Sequence, residues 1–383
     1  MPRELHLSAA LDSAGHHPAA RHTAGVDPAE LYTAPYWTAL VRLAEQGTLD
    51  FVTLGDSFAP PEDRDNRVRG RLDALATFAR VAPETSGIGL VPTVTTTHTE
   101  PFHSSISLAT LDYVSEGRAG WLVDVSTTEA EARAIGRREA AAPPELWSEA
   151  ADATEVAARL WDSWEDDAEI RDTATGRFID RDKLHYIDFD GPHFSVRGPS
   201  IVPRPPQGRL PIVVALDPAD PDERWALAAA YADVVLLGAL HPEAARAARE
   251  VVRRRAAEAG RDPGTVRVLV RIAVTLADTA EAARSRAAEL DALAPADQTG
   301  TVSFTGTPDG LADLLTEWQD AADGFHLLPS VLPADLAAIV DGLVPILRNR
   351  GLFRPAYTGR TLREHLVLSR PANRYAAAAE VTR

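Results

Sequence analysis

The sequence predicts an α/β fold, a (β/α)8 TIM barrel, on two observations. Short apolar segments alternate with amphipathic helical stretches almost from end to end, and there are eight such segments. Strands are expected at 5–11 (LHLSAAL), 50–56 (DFVTLGD), 86–94 (SGIGLVPTV) and 119–125 (AGWLVDV). Four more are expected at 211–216 (PIVVAL), 233–240 (DVVLLGAL), 266–274 (VRVLVRIAV) and 323–330 (DGFHLLPS). Helical stretches such as PYWTALVRLAEQG, RLDALATFARVAP and PEAARAAREVVRRRAAEAG lie between them. A doubly wound parallel sheet shares this alternation, but the Gly-rich turn it would carry after its first strand is missing. In a barrel the active site is built from the loops that follow the strands.

The 383 residues are 45% hydrophobic, enough for one large domain spanning 1–383. Two stretches break the alternation. Segment 166–210 is rich in charge, Gly and Pro and is expected as an insertion near the barrel mouth, either a substrate-shaping lid or a surface excursion. The tail, 352–383, contains no strand pattern and is expected to wrap the outside or to join a subunit interface.

Fifty-six acids against 39 bases leave a net charge of −17, without a basic run or basic-aromatic patch. Nucleic acid and anionic membrane are therefore poor partners, since phosphate backbones call for clustered Lys and Arg. Lys183 is the single lysine, so neither a Schiff-base lysine elsewhere nor a P-loop lysine is available. The absence of cysteine rules out disulfides, thiolate metal sites and cysteine nucleophiles. The N-terminus lacks the run of a signal peptide and no segment has membrane-spanning length, so a cytoplasmic location is expected.

The stretch PIVVALDPADPDERW, 211–225, resembles a strand, a turn and a helix start, an arrangement that can grip a phosphate. Its turn is nevertheless acidic. Asp217, Asp220, Asp222 and Glu223 oppose a dianion, and Pro218 and Pro221 remove backbone donors.

Several stretches together resemble one family, the flavin-dependent monooxygenases of the bacterial luciferase superfamily, in its nitrilotriacetate, dibenzothiophene-sulfone and long-chain alkane monooxygenase branch. They are GHHPAARH (15–22), LDFVTLGDS (49–57), TVTTTHTEPF (93–102), LDYVSEGRAGW (111–121), LWDSWEDDAEIRDTATGRF (160–178), HYIDFDGPHFSVRGPSIVPRPPQG (185–208) and RGLFRPAYTGRTLREHL (350–366). They run in the family's order along nearly the whole chain. The resemblance implies a barrel that binds reduced FMN supplied by a separate flavin reductase, uses O2 as co-substrate and oxygenates a small organic substrate. It also implies a homodimer or homotetramer. The cofactor carries the hard chemistry, while the protein holds it and excludes water.

By the same resemblance Asp56, in LGDS, and Thr95, in TVTTT, stand beside the flavin; an N-cap for Asp56 and an ordinary strand position for Thr95 are the alternatives. His16 and His17 fall at the mouth, where an imidazole could position substrate, and His98 lines it from the third loop. His16, His17 and His22 lie close enough to suggest a metal, but no carboxylate is suitably spaced to complete a site with them. Three positions depart from the family pattern. Leu122 replaces an amide in WLVDVS, leaving Ser126 as the surviving hydroxyl; Trp147 replaces a phosphate-side Tyr; and the turn beginning at Leu216 and Asp217 replaces a small Gly- and Ser-containing loop. These departures raise the alternative of a divergent barrel with altered or lost FMN binding, running another reaction or serving as a non-catalytic partner subunit. A deazaflavin oxidoreductase would meet the same acidic turn.

Overall fold

The computed structural model describes residues 4–59, 70–296 and 300–376. Nine parallel strands form one sheet: β1 (His6–Ala10), β2 (Phe51–Leu54), β3 (Gly89–Thr95), β4 (Trp121–Asp124), β5 (Ile212–Leu216), β6 (Val234–Leu237), β7 (Arg267–Leu276), β8 (Val302–Gly306) and β9 (Gly324–Pro329). All but β8 close into a barrel, because β1 pairs with both β2 and β9 while β6 pairs with both β5 and β7. All eight segments expected as strands are therefore barrel strands.

Strand β8 is an addition. The lower half of β7 pairs with β6 over Arg267–Val270, and its upper half, Ile272–Leu276, pairs with Val302–Gly306. β7 thus outruns β6, and with β8 it raises a two-stranded wall on one side of the rim.

The helices include α1 (Ala34–Gln46), α2 (Ala74–Val81), α3 (Pro101–Val114), α4 (Pro143–Asp162), α5 (Asp222–Tyr231), α6 (Pro242–Glu258), α7 (Ala280–Leu293), α8 (Pro308–Trp318) and α9 (Val344–Asn349). Several start on side-chain caps, Asp73 for α2, Thr279 for α7 and Thr307 for α8, each accepting a bond from an N–H of the first turn. Strand side chains alternate as the pleat requires. Leu7, Val52, Leu54, Val214, Leu216, Val268, Val270 and Phe325 pack outward in the core shared with the helices.

The inward set changes character along the barrel. Phe51, Val91, Val213, Val234, Leu236 and Leu269 form an apolar cluster with Leu362, Leu366 and Leu368 of the tail. Residues 354–368 of the tail therefore close the N-terminal end of the barrel, a role its lack of strands did not suggest, while residues 370–376 run along the outside on α4, where Arg374 pairs with Glu155 at 2.9 Å and Asn373 donates to the carbonyls of Asp162 and Trp164. Ion pairs of Arg354 with Asp50 (2.9 Å) and of Arg363 with Asp233 (3.1 Å) fasten the closing segment.

Segment 166–210 folds into two small hairpins, Glu169–Asp172 with Arg177–Ile179 and Phe189–Asp190 with Ser195–Val196. Ile187, Phe189, Phe194 and Val196 pack on Val156 and Leu160 of α4, and Arg204 bonds to Asp162 at 3.0 Å. The contacts of this insertion run along α4 and the tail.

Candidate active site

At the C-terminal end of the barrel lies a cavity of about 520 Å³. Its wall follows from strand periodicity: Arg271, Ala273 and Thr275 of β7 face it, and so do Thr301, Ser303 and Thr305 along β8. The intervening Ile272, Val274 and Leu276 of β7 are buried in the helix-facing core, against which Val302 and Phe304 also pack. The loop after β1 completes the lining with Ser13, Gly15, His16, His17 and Arg21, and β9 adds Leu328 and Ser330. Gly15 permits the approach of that loop, for a Cβ there would fall 2.3 Å from the Ser330 carbonyl oxygen. No residue of 166–210 lines the cavity.

The acidic turn after β5 is occupied by its own charges. Asp217 Oδ1 pairs with Arg271 Nη2 at 2.5 Å, Asp220 with Arg224 at 3.0 Å and Asp222 with Arg255 at 2.7 Å. Asp220 Oδ2 also accepts the Asp217 N–H at 2.6 Å. The first pair depends on Gly238, where a Cβ would sit 1.9 Å from Asp217 Oδ1. With that N–H taken, Asp217, Asp220 and Asp222 paired and two prolines lacking donors, the turn does not fit the phosphate of FMN.

The expected site residues are dispersed around the mouth. Thr95 and Ser126 come together, their hydroxyls 3.3 Å apart across the ends of β3 and β4. Asp56 stands at the rim, but its oxygens accept the N–H groups of Ser57 (2.8 Å) and Ala74 (2.9 Å), so it braces its loop onto α2. His16 is exposed at the cavity, whereas the His17 ring is buried, its Nδ1 accepting the Ala19 N–H and its Nε2 bonded to Asp291 at 3.2 Å. His98 adopts φ +66 beside Phe58, away from the cavity lining, and both its ring nitrogens lack a protein partner among the described residues. Burial and Arg138 shift its pKa downward. Leu122 faces the apolar barrel interior, Leu216 faces the helices, and Trp147 is buried under the Arg224 guanidinium, 4.2 Å from its ring centre.

Other polar groups line the interior. Asp12 ends the inward row of β1, where burial raises its pKa against the opposing pull of His16 and the Gly55 N–H. Beneath it His326 bonds Ser8 Oγ through Nδ1 (2.8 Å) and Thr53 Oγ1 through Nε2 (3.3 Å). Burial, with Arg271 and His16 nearby, lowers its pKa to about 3, keeping the imidazole neutral. The sequence signal for Arg271 was a charge inside an otherwise apolar strand, VLVRIAV; Asp12 and His326 gave none beyond strand alternation.

A barrel with loops of this kind at its C-terminal mouth fits a cofactor-using enzyme, and the model of the luciferase-like monooxygenases matches residues 13–323; the chain belongs to that family. Over 98% of the chain and 99% of the relative it is 34% identical to the N-acetyl-S-(2-succino)cysteine monooxygenase of Bacillus subtilis (strain 168). It is 31% identical to nitrilotriacetate monooxygenase component A of Aminobacter aminovorans, over 97% and 98% of the two chains. Among solved structures, the EDTA monooxygenase of Chelativorans sp. BNC1 superposes with a TM-score of 0.87 at 25% identity, over 96% of this chain and 99% of the other. The chain is accordingly a flavin-dependent monooxygenase acting on a small organic substrate.

Proposed function

We propose that the chain oxygenates its substrate with O2 and reduced FMN delivered by a separate flavin reductase, in the mouth between the Thr95–Ser126 pair and the β7–β8 wall. The observation that carries the reading is the match of nearly the whole chain to monooxygenases of one family, on a barrel whose cavity stands at the C-terminal mouth. It favours a catalyst over a non-catalytic partner subunit.

A flavin, when bound, supplies the electrons for splitting O2; the chain's own groups bind and orient. Thr95 and Ser126 offer hydroxyls to a polar ring edge, His16 offers an imidazole at the cavity, and the acidic turn contributes no anchor for a phosphate. His98, with two unpartnered ring nitrogens, is a second candidate to orient a reactant. A homodimer or homotetramer in the cytoplasm is the proposed working form, to be checked by light scattering. Among the described residues no helix is long and apolar enough to cross a membrane.

The test supplies chemically reduced FMN and 18O2 to the purified protein with candidate substrates. The expected result is substrate-dependent oxygen uptake with one labelled atom in the product. Oxygen uptake that yields only hydrogen peroxide with every candidate would contradict the reading.

A further inference from the structure

We infer that the mouth cavity takes a small substrate bearing a carboxylate, with Arg21 and Arg271 as the groups that receive it. The inference rests on the reading of this cavity as the substrate pocket and adds the chemical class.

Arg21 lies on the short helix Ala20–Thr23 and lines the cavity. Among the described residues it makes no ion pair, and its Nε is buried without a hydrogen-bond partner. That is conspicuous in a chain where acids outnumber bases by 56 to 39, so that partners for an arginine abound. Arg271 reaches the same cavity from β7. Its Nη2 is held by Asp217, and its Nε is likewise buried and unpartnered. Two guanidinium groups with unmet donors in one concave site form a receptor for an anion, since a buried donor left unsatisfied is costly.

The rest of the lining narrows the class. Ser13, Thr275, Ser303, Thr305 and Ser330 are hydroxyl-bearing, and Leu328 is the one large aliphatic side chain among the described lining residues, which include no Phe, Tyr or Trp. An alkane or a fused aromatic substrate would find little to pack against, whereas a polar molecule finds donors throughout. Asp217 and Asp291 also line the cavity. A tetrahedral dianion would meet both carboxylates, while a planar monoanionic carboxylate can accept a guanidinium fork and carry less opposing charge.

The experiment is calorimetric titration of the flavin-free protein with the monocarboxylates succinamate and glutaramate, and with succinamide and glutaramide as their uncharged counterparts. At least one carboxylate should bind and its amide should not. Arg21→Gln should weaken that carboxylate roughly tenfold or more, and Arg21→Lys, which keeps charge but loses the fork, should fall between. Thermal melts of the variants establish that the fold is intact. Equal binding of acid and amide, no binding by any carboxylate, or unchanged affinity in Arg21→Gln overturns the inference. So does an Arg21→Gln protein that keeps its carboxylate affinity and instead loses a preference for FMN over riboflavin, which would assign the guanidinium to the cofactor phosphate. Because no turnover is involved, failure here leaves the labelled-oxygen result standing, and failure there leaves the binding result standing.

Discussion

Asp56 accepts two backbone N–H bonds, from Ser57 and from Ala74 at the start of α2, and Arg71 Nε lies 3.6 Å away. Asp56→Ala should therefore lower stability by about 1 kcal/mol, as cap removal does, and urea denaturation will read it. A larger effect on turnover than on stability would show that the carboxylate also serves the pocket. Asp50 is a stronger case. It is fully buried, and although burial alone would raise its pKa, His6 and Arg354 hold it at about 2. Its oxygens accept bonds from His6 Nδ1 (3.0 Å), the Leu7 N–H (2.7 Å) and Arg354 Nη1 (2.9 Å). A folded pKa below the unfolded value of about 3.9 stabilises the protein at all pH above the unfolded value, and that stability is lost as pH falls toward 2. Asp50→Asn should cost about 3–5 kcal/mol at neutral pH, because it strands a buried guanidinium, and should flatten the fall of stability below pH ~4. Unfolding midpoints of the two proteins across acidic pH decide it; parallel curves would remove Asp50 as the source.

The turn between β5 and α5 sets the next prediction. Three of its acids are ion-paired and one also occupies the Asp217 N–H, so an approaching phosphate must displace bonds already made. FMN should accordingly bind little better than riboflavin. Asp220→Gly frees the Asp217 N–H and Arg224 together, and should shift the preference toward FMN by about tenfold, the worth of one charge-assisted bond. Anaerobic titration with both flavins tests this; a wild-type protein that strongly prefers FMN would place its phosphate elsewhere. The acidity of this turn was legible in the sequence because it needs only residue identity. The arginines that answer it were not, since Arg224 follows by one helical turn but Arg255 and Arg271 arrive from α6 and β7. Strand β8 gives no strand signal for a related reason: TVSFTG is short, half-exposed and polar on the face it gives to the cavity. The family resemblance implies Leu216 and Trp147 at the site, but the pleat and the helix face turn both toward the core.

At the scale of the whole molecule the eight barrel strands were readable because each is a short, mostly apolar and mostly buried run, a signal carried by consecutive residues. What the tail does was not readable, because its partners lie hundreds of residues away and its leucines follow no strand period. Leu362, Leu366 and Leu368 fill the N-terminal end of the barrel against Phe51, Val91, Val213, Val234, Leu236 and Leu269. Around them His365 Nε2 meets the Gly87 carbonyl at 2.8 Å, Tyr357 donates to the Leu49 carbonyl at 2.8 Å, and Arg267 donates to the carbonyls of Leu366 and Val367. The plug thus ties together the starts of β2, β3 and β7, so the barrel and the tail should unfold as one unit. Leu366, fully buried, tests this. Leu366→Ala should cost roughly 3 kcal/mol through lost burial and an unfilled cavity, while Leu366→Met should cost less than about 1.5 kcal/mol. Fluorescence and far-UV circular dichroism should follow the same denaturation transition in both variants, at a lower midpoint for alanine. A tail that melts separately, before a barrel of unchanged midpoint, would show instead that the closed strands sustain themselves without the plug.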